Sequence, residues 1–566
     1  MEKSTKINHY RQKLRQLEEE VESWKEEWKE ISEYMLPKRG MYLTSDTEKN
    51  ADHGKKKHQK IINGIAKKSL LTISAGLQSG MTSPSRPWFT LGIADDDLME
   101  ISEVREWLDL VRKEMMQVFM KSNFYSAIHS TYLELAAFGT ANLLIESDDE
   151  TVIRCRPYTI GEYFLSQDSN LRVNAMYRKF VMTAEQLEDK FGKEKLSETI
   201  KSCLELGNNG QEEFEIIHVI EPNKDIDLTK DDSSGMAYLS CYFESKGKSD
   251  VFLRKSGYRS LPFVAPRWNT TGTGVWGDGV GADALGDVKQ LQKLEQLKLM
   301  ALEKEVNPPL NAPVMLKNSG VSIIAGDINY YDTAQGNQGV TPTYQVQLNL
   351  RNMSLEIEAV SQRIRQAFYN DLFMSILGED KRMTATEVNE RSNERMLLIG
   401  SVIERIQSEM LDVIIDRTFD IMLTQGLLPE PPADLQGKDI KVEYISMLAQ
   451  AQKSVGISSI SQVAQFVGML AQINPQVADK FDFDQAVEEY ADAIGIPEKI
   501  VISDDKVTAL RKQRAEQQAA QQQQMLQAQM AAQSPQQMQQ GAAAAKDLSE
   551  TQTGNGTALD ALLRSR

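Results

Sequence analysis

The sequence predicts a predominantly helical α+β protein of several units, and three observations lead to this fold class. Apolar residues occupy 41% of the 566 positions, which suffices for a substantial core and excludes bulk disorder. Long stretches space their apolar residues three and four apart, as helices do. Strand-like runs bounded by Gly, Asn and Asp concentrate in residues 150–270. At roughly 100–200 residues per domain, the length predicts about three to five units.

The N-terminal residues 1–36 predict one long helix, which Pro37 and Gly40 end. We expect this helix to pack on its own domain, with a short coiled coil as the alternative. The polar, lysine-rich residues 41–60 predict a loop. The apolar stripe of the helix consists of Leu14, Leu17, Val21, Trp24, Trp28, Ile31 and Met35.

The next two regions differ in character. Residues 61–145 predict helices, interrupted by a turn-rich stretch at 79–88. Residues 150–270 predict an α+β region with a small helix near Ala184–Phe191. The strands predicted in this region are Phe214–Ile220, Ala237–Phe243 and Phe263–Trp268.

From about Ala282 the sequence becomes strongly helical. Regularly spaced leucines predict a first central helix over 282–306, and two prolines directly after it stop that helix. A second central helix is predicted over 349–376. Between them lies a compact, glycine-rich β insert, with strands predicted at Val314–Leu316, Val321–Ile324 and Ile328–Tyr331.

A charged segment, residues 377–383, follows the second central helix. Thr384 and Glu387 have the spacing of a capping box, which predicts that a third helix begins there. Its apolar pattern continues to Met422. At 1.5 Å per residue, this helix would be roughly 60 Å long.

The C-terminal part of the sequence divides into three predicted segments. The Gly- and Pro-rich residues 426–432 predict a boundary, and 439–500 a small, mainly helical unit. Residues 507–545 are rich in Gln and Ala, a composition that permits a helix but forms no packed core alone. Residues 546–566 predict a disordered tail.

Composition and charge exclude several classes of protein. There are 64 basic and 81 acidic side chains, so the net charge is −17, which argues against a general nucleic-acid-binding protein. It is compatible with a protein that lets DNA pass without holding it. Three cysteines exclude a disulfide scaffold and fit a reducing compartment. We expect no secretory signal and no membrane span, because residues 1–15 are charged and no apolar run approaches about 18 residues.

The patterns of catalytic and cofactor sites are missing from the sequence. Its five histidines are scattered, and its three cysteines form no CxxC pair. Neither a Gly-x-Ser-x-Gly elbow nor a Walker A sequence occurs. We therefore expect no enzyme activity, no metal and no cofactor.

One glycine cluster matches the dinucleotide-binding fingerprint: Gly272, Gly274 and Gly277. That fingerprint needs a compact βαβ unit in which the glycines open the helix. Here residues 278–281 intervene, and the following helix runs to Val306 and meets prolines rather than a strand. A flexible joint leading into a long helix is therefore the better interpretation, and a nucleotide-dependent enzyme the weaker one.

Basic residues on the two central helices are candidates for contacts with an anionic ligand. They are Lys289 and Lys293 on the first helix and Arg363 and Arg365 on the second. The alternative is a solvated helix face with ion pairs within each helix. Taken alone, these residues favour the alternative.

Several strings, in order along the chain, resemble head-to-tail connector (portal) proteins of short-tailed bacteriophages. The resemblance covers about residues 10–510. The strings are AGLQSGMTSPSRPWF (75–89), AFGTANLLIE (137–146), PFVAPRW (262–268), DALGDVKQLQ (283–292), AFYNDLF (367–373), MTATEVNER (383–391) and KVEYISMLAQAQK (441–453).

This resemblance implies a portal fold assembled as a ring, usually of twelve subunits, at one capsid vertex. Double-stranded DNA would be packaged, retained and ejected through its channel, without catalysis or a cofactor. The implied parts are a wing (1–281), a first stem helix (282–306), a clip (307–348), a second stem helix (349–376), a tunnel loop (377–383), a long wing or spine helix (384–430), a crown (431–503), a Gln/Ala-rich barrel or tail helix (504–545) and a disordered tail (546–566).

The resemblance also implies partners and a location. Besides other copies of the chain and DNA, they are the terminase large subunit, a tail adaptor or tubular protein, and the major capsid and scaffolding proteins, with no membrane. The protein would be in the virion at the portal vertex and in the host cytoplasm during assembly. Another oligomeric virion component, a scaffold or an internal ejection protein, is the alternative. The implied DNA-channel candidates, besides the four basic residues above, are Glu379, Asp380, Lys381 and Arg382.

Overall fold

Two units make up the chain, Met1–Val455 and Gly456–Arg566. The computed structural model describes the first unit over most of its length and the second in short segments. The described residues are 2–43, 59–93, 98, 101–205, 212–227, 233–246, 251–307, 309–311, 314–317, 322, 340–342, 350–376, 399–435, 440–446, 448, 463–470, 477, 480–487, 507–508, 510–521, 524–525, 542–544, 546–547, 550, 552–553 and 556–557.

Helix α1 (Glu2–Tyr34) is the long N-terminal helix predicted from the apolar stripe. Six of the seven stripe residues are buried, and Trp24 is partly buried. The helix packs on its own unit, as predicted. The Trp28 ring lies 4.9 Å from that of Trp276, and Tyr10 stacks on Phe243 at 6.2 Å.

Three further helices build the first part of the core: α2 (Ile65–Met81), α3 (Ser102–Lys121) and α4 (Phe124–Phe138). Strand β1 (Phe89–Ile93) follows the turn-rich stretch, where no strand was predicted. Trp88 and Phe89 anchor it among the rings of α3 and α4.

The α+β region contains two antiparallel sheets. One has the order β3 (Val152–Tyr158), β2 (Asn142–Asp148), β9 (Phe263–Val264). The other has the order β4 (Tyr163–Gln167), β5 (Val173–Thr183), β6 (Glu213–Pro222), β7 (Tyr238–Glu244), β8 (Arg254–Tyr258).

Two of the three predicted strands in this region are confirmed by β6 and β7. The third is wrong over most of its length, because β9 ends at Val264 and Pro266 supplies no N–H for a ladder. Helix α5 (Ala184–Phe191) has the predicted bounds, and a capping box of Thr183 and Gln186 begins it. Helix α6 (Glu198–Glu205) follows.

Short strands β10 (Asn269–Thr270) and β11 (Gly277–Asp278) pair as a hairpin before helix α7 (Val280–Val306). Helix α7 confirms the first central helix. The second central helix is divided into α8 (Leu350–Ala367) and α9 (Asn370–Ile376). Tyr369 has a φ of 52° between them, so the prediction of one unbroken helix is wrong. The burial of Phe368, Leu372 and Phe373 holds this break in place.

In the insert between α7 and α8, Val314–Lys317 forms a 3₁₀ turn rather than the predicted strand. The pairing described there joins β12 (Leu310–Asn311) to β13 (Thr341–Pro342). The strand predicted at Ile328–Tyr331 lies outside the described residues, as does that at Val321–Ile324 apart from Ser322.

The third predicted helix is described over 399–424. It consists of a helical run at 399–406, a π turn at Gln407–Leu411 and helix α10 (Asp412–Thr424). Gly426 then turns the chain with a φ of 68°.

The chain next returns to the same unit as strand β14 (Ile440–Tyr444), which pairs with β1 from Phe89↔Tyr444 to Ile93↔Ile440. Residues 440–444 are thus a strand within a segment predicted to be mainly helical, and they pair across the predicted boundary at 426–432. A pairing that spans about 350 residues leaves no local pattern to predict it.

The second unit is helical at 463–470, 483–487 and 510–521. Arg511 joins the last two segments through a paired contact with Asp484, at 2.6 and 2.7 Å. Two strands of two residues each, β15 (Gln552–Thr553) and β16 (Gly556–Thr557), pair as a hairpin within the segment predicted to be a disordered tail.

Candidate functional site

The surroundings of helix α7 differ between its two halves. Its first half is buried, through Val280, Ala284, Leu285, Val288 and Leu291. Its second half exposes large apolar side chains, and Val306 is 83% exposed. Four such side chains are described there: Leu297, Leu299, Met300 and Val306.

Helix α8 runs antiparallel beside α7. The C-terminal part of α8 contacts the N-terminal part of α7, because the Arg363 guanidinium donates to Asp287 at 3.1 Å and to Gln290 at 3.2 Å. One face of α8 is buried through Ile357, Val360 and Ile364. In the N-terminal part of α8, Leu355 is 62% exposed.

Three of the four basic candidates on these helices form ion pairs within the subunit. Lys289 binds Glu30 of α1 at 2.5 Å, Arg363 binds Asp287, and Arg365 binds Glu358 at 3.0 Å. Lys293 is exposed, and no ion pair is found for it among the described residues. Two of these pairs link different helices, and one lies within a single helix.

Negative charge gathers near Lys289. Partial burial raises the pKa of Glu27, and the neighbouring Asp278 and Glu30 raise it further. Partial burial and Asp278 also raise the pKa of Asp283. The positive charge of Lys289 is therefore offset by carboxylates around it.

Gln292 fixes the middle of α7 to the body of the subunit. Its Oε1 accepts the backbone N–H groups of Ile62 and Asn63 at 2.7 and 2.8 Å, and its Nε2 donates to the Asn63 carbonyl at 2.8 Å. The side chain is almost fully buried. A glutamine beside the apolar stripe of α7 is only a weak sequence signal for this contact, and sequence reasoning missed it.

The glycine cluster before α7 is closely packed, so the predicted flexible joint is wrong for its second half. Cβ atoms at Gly279 and Gly281 would collide with the backbone of Gly139 and Ala137 at the end of α4. The Gly277 N–H donates to the Thr140 hydroxyl at 2.9 Å. These glycines let two backbones approach and fix the start of α7 on α4. Gly272 and Gly274 lie in the β10–β11 turn.

A clamp joins the helix of residues 399–424 to the chain that leads into α7. Glu409, in the π turn, accepts the Arg267 guanidinium at 2.6 and 3.1 Å and the Arg267 backbone N–H at 3.0 Å. Arg405 donates to the Trp268 carbonyl at 2.9 Å. Farther along, Asp420 binds Ser260 at 2.8 Å. Sequence reasoning missed this clamp, because its partners are about 140 to 160 residues apart.

The other candidates, Glu379, Asp380, Lys381 and Arg382, lie outside the described residues. Within the described part of the chain, no His, Cys, Asp and Glu side chains gather as a metal site would require. Nor does any described helix combine the length and apolarity that crossing a bilayer requires.

Comparison with known proteins identifies the family. Residues 8–501 match the family described as "Bacteriophage head to tail connecting protein". The chain belongs to this family. The connector is 41% identical over 512 residues to the probable portal protein of Bordetella phage BPP-1, covering 90% of this chain and 91% of that protein. It is 39% identical over 554 residues to the portal protein of Salmonella phage epsilon15, covering 97% and 96%.

The family assignment confirms the resemblance found in the sequence strings. The connector is therefore a component of bacteriophage virions with mixed helix and strand structure. The family match includes α7, α8, their glycine attachment and the clamp, so these features belong to the connector portion of the chain.

Proposed function

We propose that this connector is the portal protein of its phage. It forms a ring-shaped channel at one capsid vertex, through which double-stranded DNA is packaged, retained and ejected. The ring has twelve subunits. It is a structural conduit without catalysis, and the terminase supplies the energy of packaging.

The observation that carries this proposal is the helix pair α7–α8, buried at one end and apolar but exposed at the other. Leu297 and Leu299 are roughly 200° apart around the helix axis, since successive residues turn by about 100°. Both are exposed. Apolar side chains on two sides of one helix match a subunit with a neighbour on each side, as in a closed ring.

The charges of the helix pair match DNA passage rather than DNA binding. Each phosphate held firmly would slow translocation. Lys289, Arg363 and Arg365 already carry carboxylate partners within the subunit, and the whole chain has a charge of −17. Such cations guide phosphates weakly, and the effect fades as salt rises.

The insert at 307–348 is the proposed clip, which docks the terminase during packaging and the tail adaptor afterwards. Deleting residues 318–340 is expected to leave the wing folded and to abolish both contacts. Tail attachment at the normal level by that deletion variant would refute the assignment.

Residues 377–383 are the proposed tunnel loop. Lys381 and Arg382 contact DNA phosphates transiently, while Glu379 and Asp380 keep the net attraction weak. Replacing Lys381 and Arg382 by Ala is expected to leave ring assembly intact and to change DNA retention or packaging yield in a salt-dependent way. If packaging, retention and ejection equal those of the parent at every salt concentration, the loop does not contact DNA.

Electron microscopy of the purified protein tests the proposed function as a whole. We expect rings with a central hole, and a mass under reducing conditions that corresponds to the ring. A stable monomer at micromolar concentration would overturn the proposal. Filaments or rods would instead point to a scaffold or an internal ejection protein.

A further inference from the structure

A cleft between β3 and the five-stranded sheet concentrates positive charge in this acidic chain. Five cationic side chains lie in it or beside it on the sheet, here called the basic cleft: Arg154, Arg156, Arg178, Lys190 and Arg254. A cavity of about 540 Å³ between β3 and β5 is lined by Arg154, Arg156 and Arg178, together with Asn123, Asp148 and Glu162.

Aromatic rings hold the cations of the basic cleft in place. Arg178, His218, Tyr242 and Arg254 form one row across β5, β6, β7 and β8. His218 stacks on Tyr242 with ring centres 3.8 Å apart. The Arg178 guanidinium lies 4.0 Å from the centre of the Tyr158 ring, and the Lys190 ammonium lies 4.8 Å from that of Tyr242. The charges are therefore presented on a rigid platform.

The carboxylates nearby neutralise only part of this charge. Glu162 binds Arg178 at 2.5 Å, Glu146 binds Arg156 at 3.0 Å, and Asp148 reaches Arg154 only at 3.8 Å. Three carboxylates thus face five cations. For Lys190 and Arg254, which are both exposed, no ion pair is found among the described residues.

The pKa of Lys190 is lowered by burial and, to a smaller extent, by the neighbouring cations. Desolvation of the ammonium against its neighbours is the main cause that lowers its pKa, although the residue as a whole is exposed. Glu146 opposes this fall, and Arg156, Arg178 and Arg254 lower the pKa further, each by less than Glu146 raises it. An added anion would relieve this repulsion.

The cleft is suited to side-chain recognition rather than strand addition, because the free edge of β3 is blocked. Asn123 bonds both backbone groups of Cys155, at 2.7 and 2.9 Å. Thr151 donates to the Ile153 carbonyl at 2.9 Å. Pro157 has no N–H to offer. A peptide therefore has no ladder to join at this edge.

We propose that the basic cleft receives the acidic face of helix α1 from a neighbouring copy of this chain. Residues 18–30 of α1 contain seven glutamates and two lysines. Glu19, Glu22 and Glu26 lie on one exposed face of that helix, at the i, i+3, i+7 spacing. The contact is heterologous, as ring closure requires, so this inference rests on the proposed ring.

Charge complementarity favours a carboxylate-bearing helix over DNA as the occupant. Glu146, Asp148 and Glu162 stand among the cations and would repel a continuous row of phosphates. A helix face offering a few carboxylates can instead pair with the least neutralised cations, Arg154, Lys190 and Arg254.

The test reverses the charges on each side of the contact. The variant R154E/R254E is expected to raise at least tenfold the protein concentration needed for half-maximal ring assembly at low salt. Adding E19R/E26R to the same chain should restore assembly, because the ion pairs re-form with opposite polarity. The matched control, K195E/K224E, makes the same change in net charge on exposed residues elsewhere and should assemble like the parent.

Native mass spectrometry measures assembly, and circular dichroism checks that each variant is folded. If R154E/R254E assembles like the parent, or if E19R/E26R fails to rescue it, the inference is overturned. Loss of binding to a short DNA duplex with unchanged assembly would assign the cleft to DNA and also overturn it. A parent chain that forms no ring would refute the proposed function instead.

Discussion

At the scale of single residues, Glu134 of α4 is a charged group buried in the core of the first unit. Its side chain is 1% exposed and accepts three hydrogen bonds, from Arg39 at 2.7 Å, Thr159 at 2.7 Å and the Ile160 N–H at 3.1 Å. Burial raises the pKa of Glu134, and these partners oppose that rise. The group ties the end of the N-terminal region to α4 and to the chain after β3.

Replacing Arg39 by Ala leaves this carboxylate buried with its main cation removed. We expect the free energy of unfolding to fall by about 3 kcal/mol. This value is at the lower end of the range for breaking a buried ion pair, because Arg39 is partly exposed. Urea denaturation measures the loss. The double variant R39A/E134Q should recover part of it, and equal stability of R39A and the parent would contradict the prediction.

His218 makes the basic cleft sensitive to acid. Complete burial, together with Arg178, Lys190, Arg254 and Arg156, holds its pKa well below the usual range. In the unfolded chain the imidazole titrates near its ordinary pKa of about 6.5. The unfolded state therefore binds the proton first as pH falls, so the stability contributed by neutral His218 is present above about pH 6.5 and lost below it.

Thermal denaturation at pH 7.5 and 5.5 checks this expectation. Between these pH values, the melting temperature of the parent is expected to fall more than that of the H218Q variant. In free energy of unfolding, the difference amounts to at most about 1.4 kcal/mol per pH unit. The exposed His9 provides the control, since H9Q should behave like the parent. An identical pH response of H218Q and the parent would rule out His218 as the cause.

At the scale of elements, three sets of contacts determine the position of α7, the first central helix. The glycines before it pack on the end of α4, Gln292 docks the chain at 62–63, and the clamp of Arg267 and Glu409 holds the approach from β9. Glu409 lies in the π turn, which interrupts an otherwise α-helical run and contacts Arg267. Such π turns are frequent at functional sites.

Two glycines of the same helix give opposite predictions. A Cβ at Gly281 would meet the backbone of Ala137, whereas a Cβ at Gly286 has open space. We expect G281A to destabilise the protein by about 1–3 kcal/mol through overpacking, and G286A to stabilise it by up to about 1 kcal/mol through helix propensity. Chemical denaturation of both variants is the measurement. A neutral G281A would mean that α4 can move away from α7.

At the scale of the whole molecule, the exposed apolar side chains of α7 are the feature of one subunit on which the proposed ring depends. A monomer gains nothing from exposing Leu297 and Leu299, whereas a neighbour on each side would cover them. Full burial of a leucine contributes about 1.5–3 kcal/mol, and these side chains are already partly covered. Covering each of the two side chains by a neighbouring subunit would then contribute roughly 1 kcal/mol to the free energy of association.

The double variant L297Q/L299Q is therefore expected to weaken ring assembly by about tenfold or more while leaving the subunit folded. Size-exclusion chromatography with light scattering measures the ring fraction against concentration. The control, K195Q/K224Q, places glutamine at two exposed positions outside α7 and should assemble like the parent. Unchanged assembly of L297Q/L299Q would exclude these side chains from the subunit contact.

The sequence by itself determined the elements whose signals are local. The apolar stripe predicted α1, the leucine spacing predicted α7, and helix α5 was predicted with its bounds. Short sequence strings also sufficed to recognise the connector family. Local propensity and periodicity decide such features, because a helix satisfies its backbone hydrogen bonds within one segment.

Only the tertiary structure decided the features that depend on distant partners. Strand β1 exists because β14 pairs with it, the glycines before α7 are rigid because the end of α4 lies against them, and the break at Tyr369 persists because its neighbours are buried. Basic side chains on α7 and α8 were visible in the sequence, but their carboxylate partners come partly from other elements. Long-range pairing and close backbone packing leave no periodic trace in the chain, so they are set by the folded contacts alone.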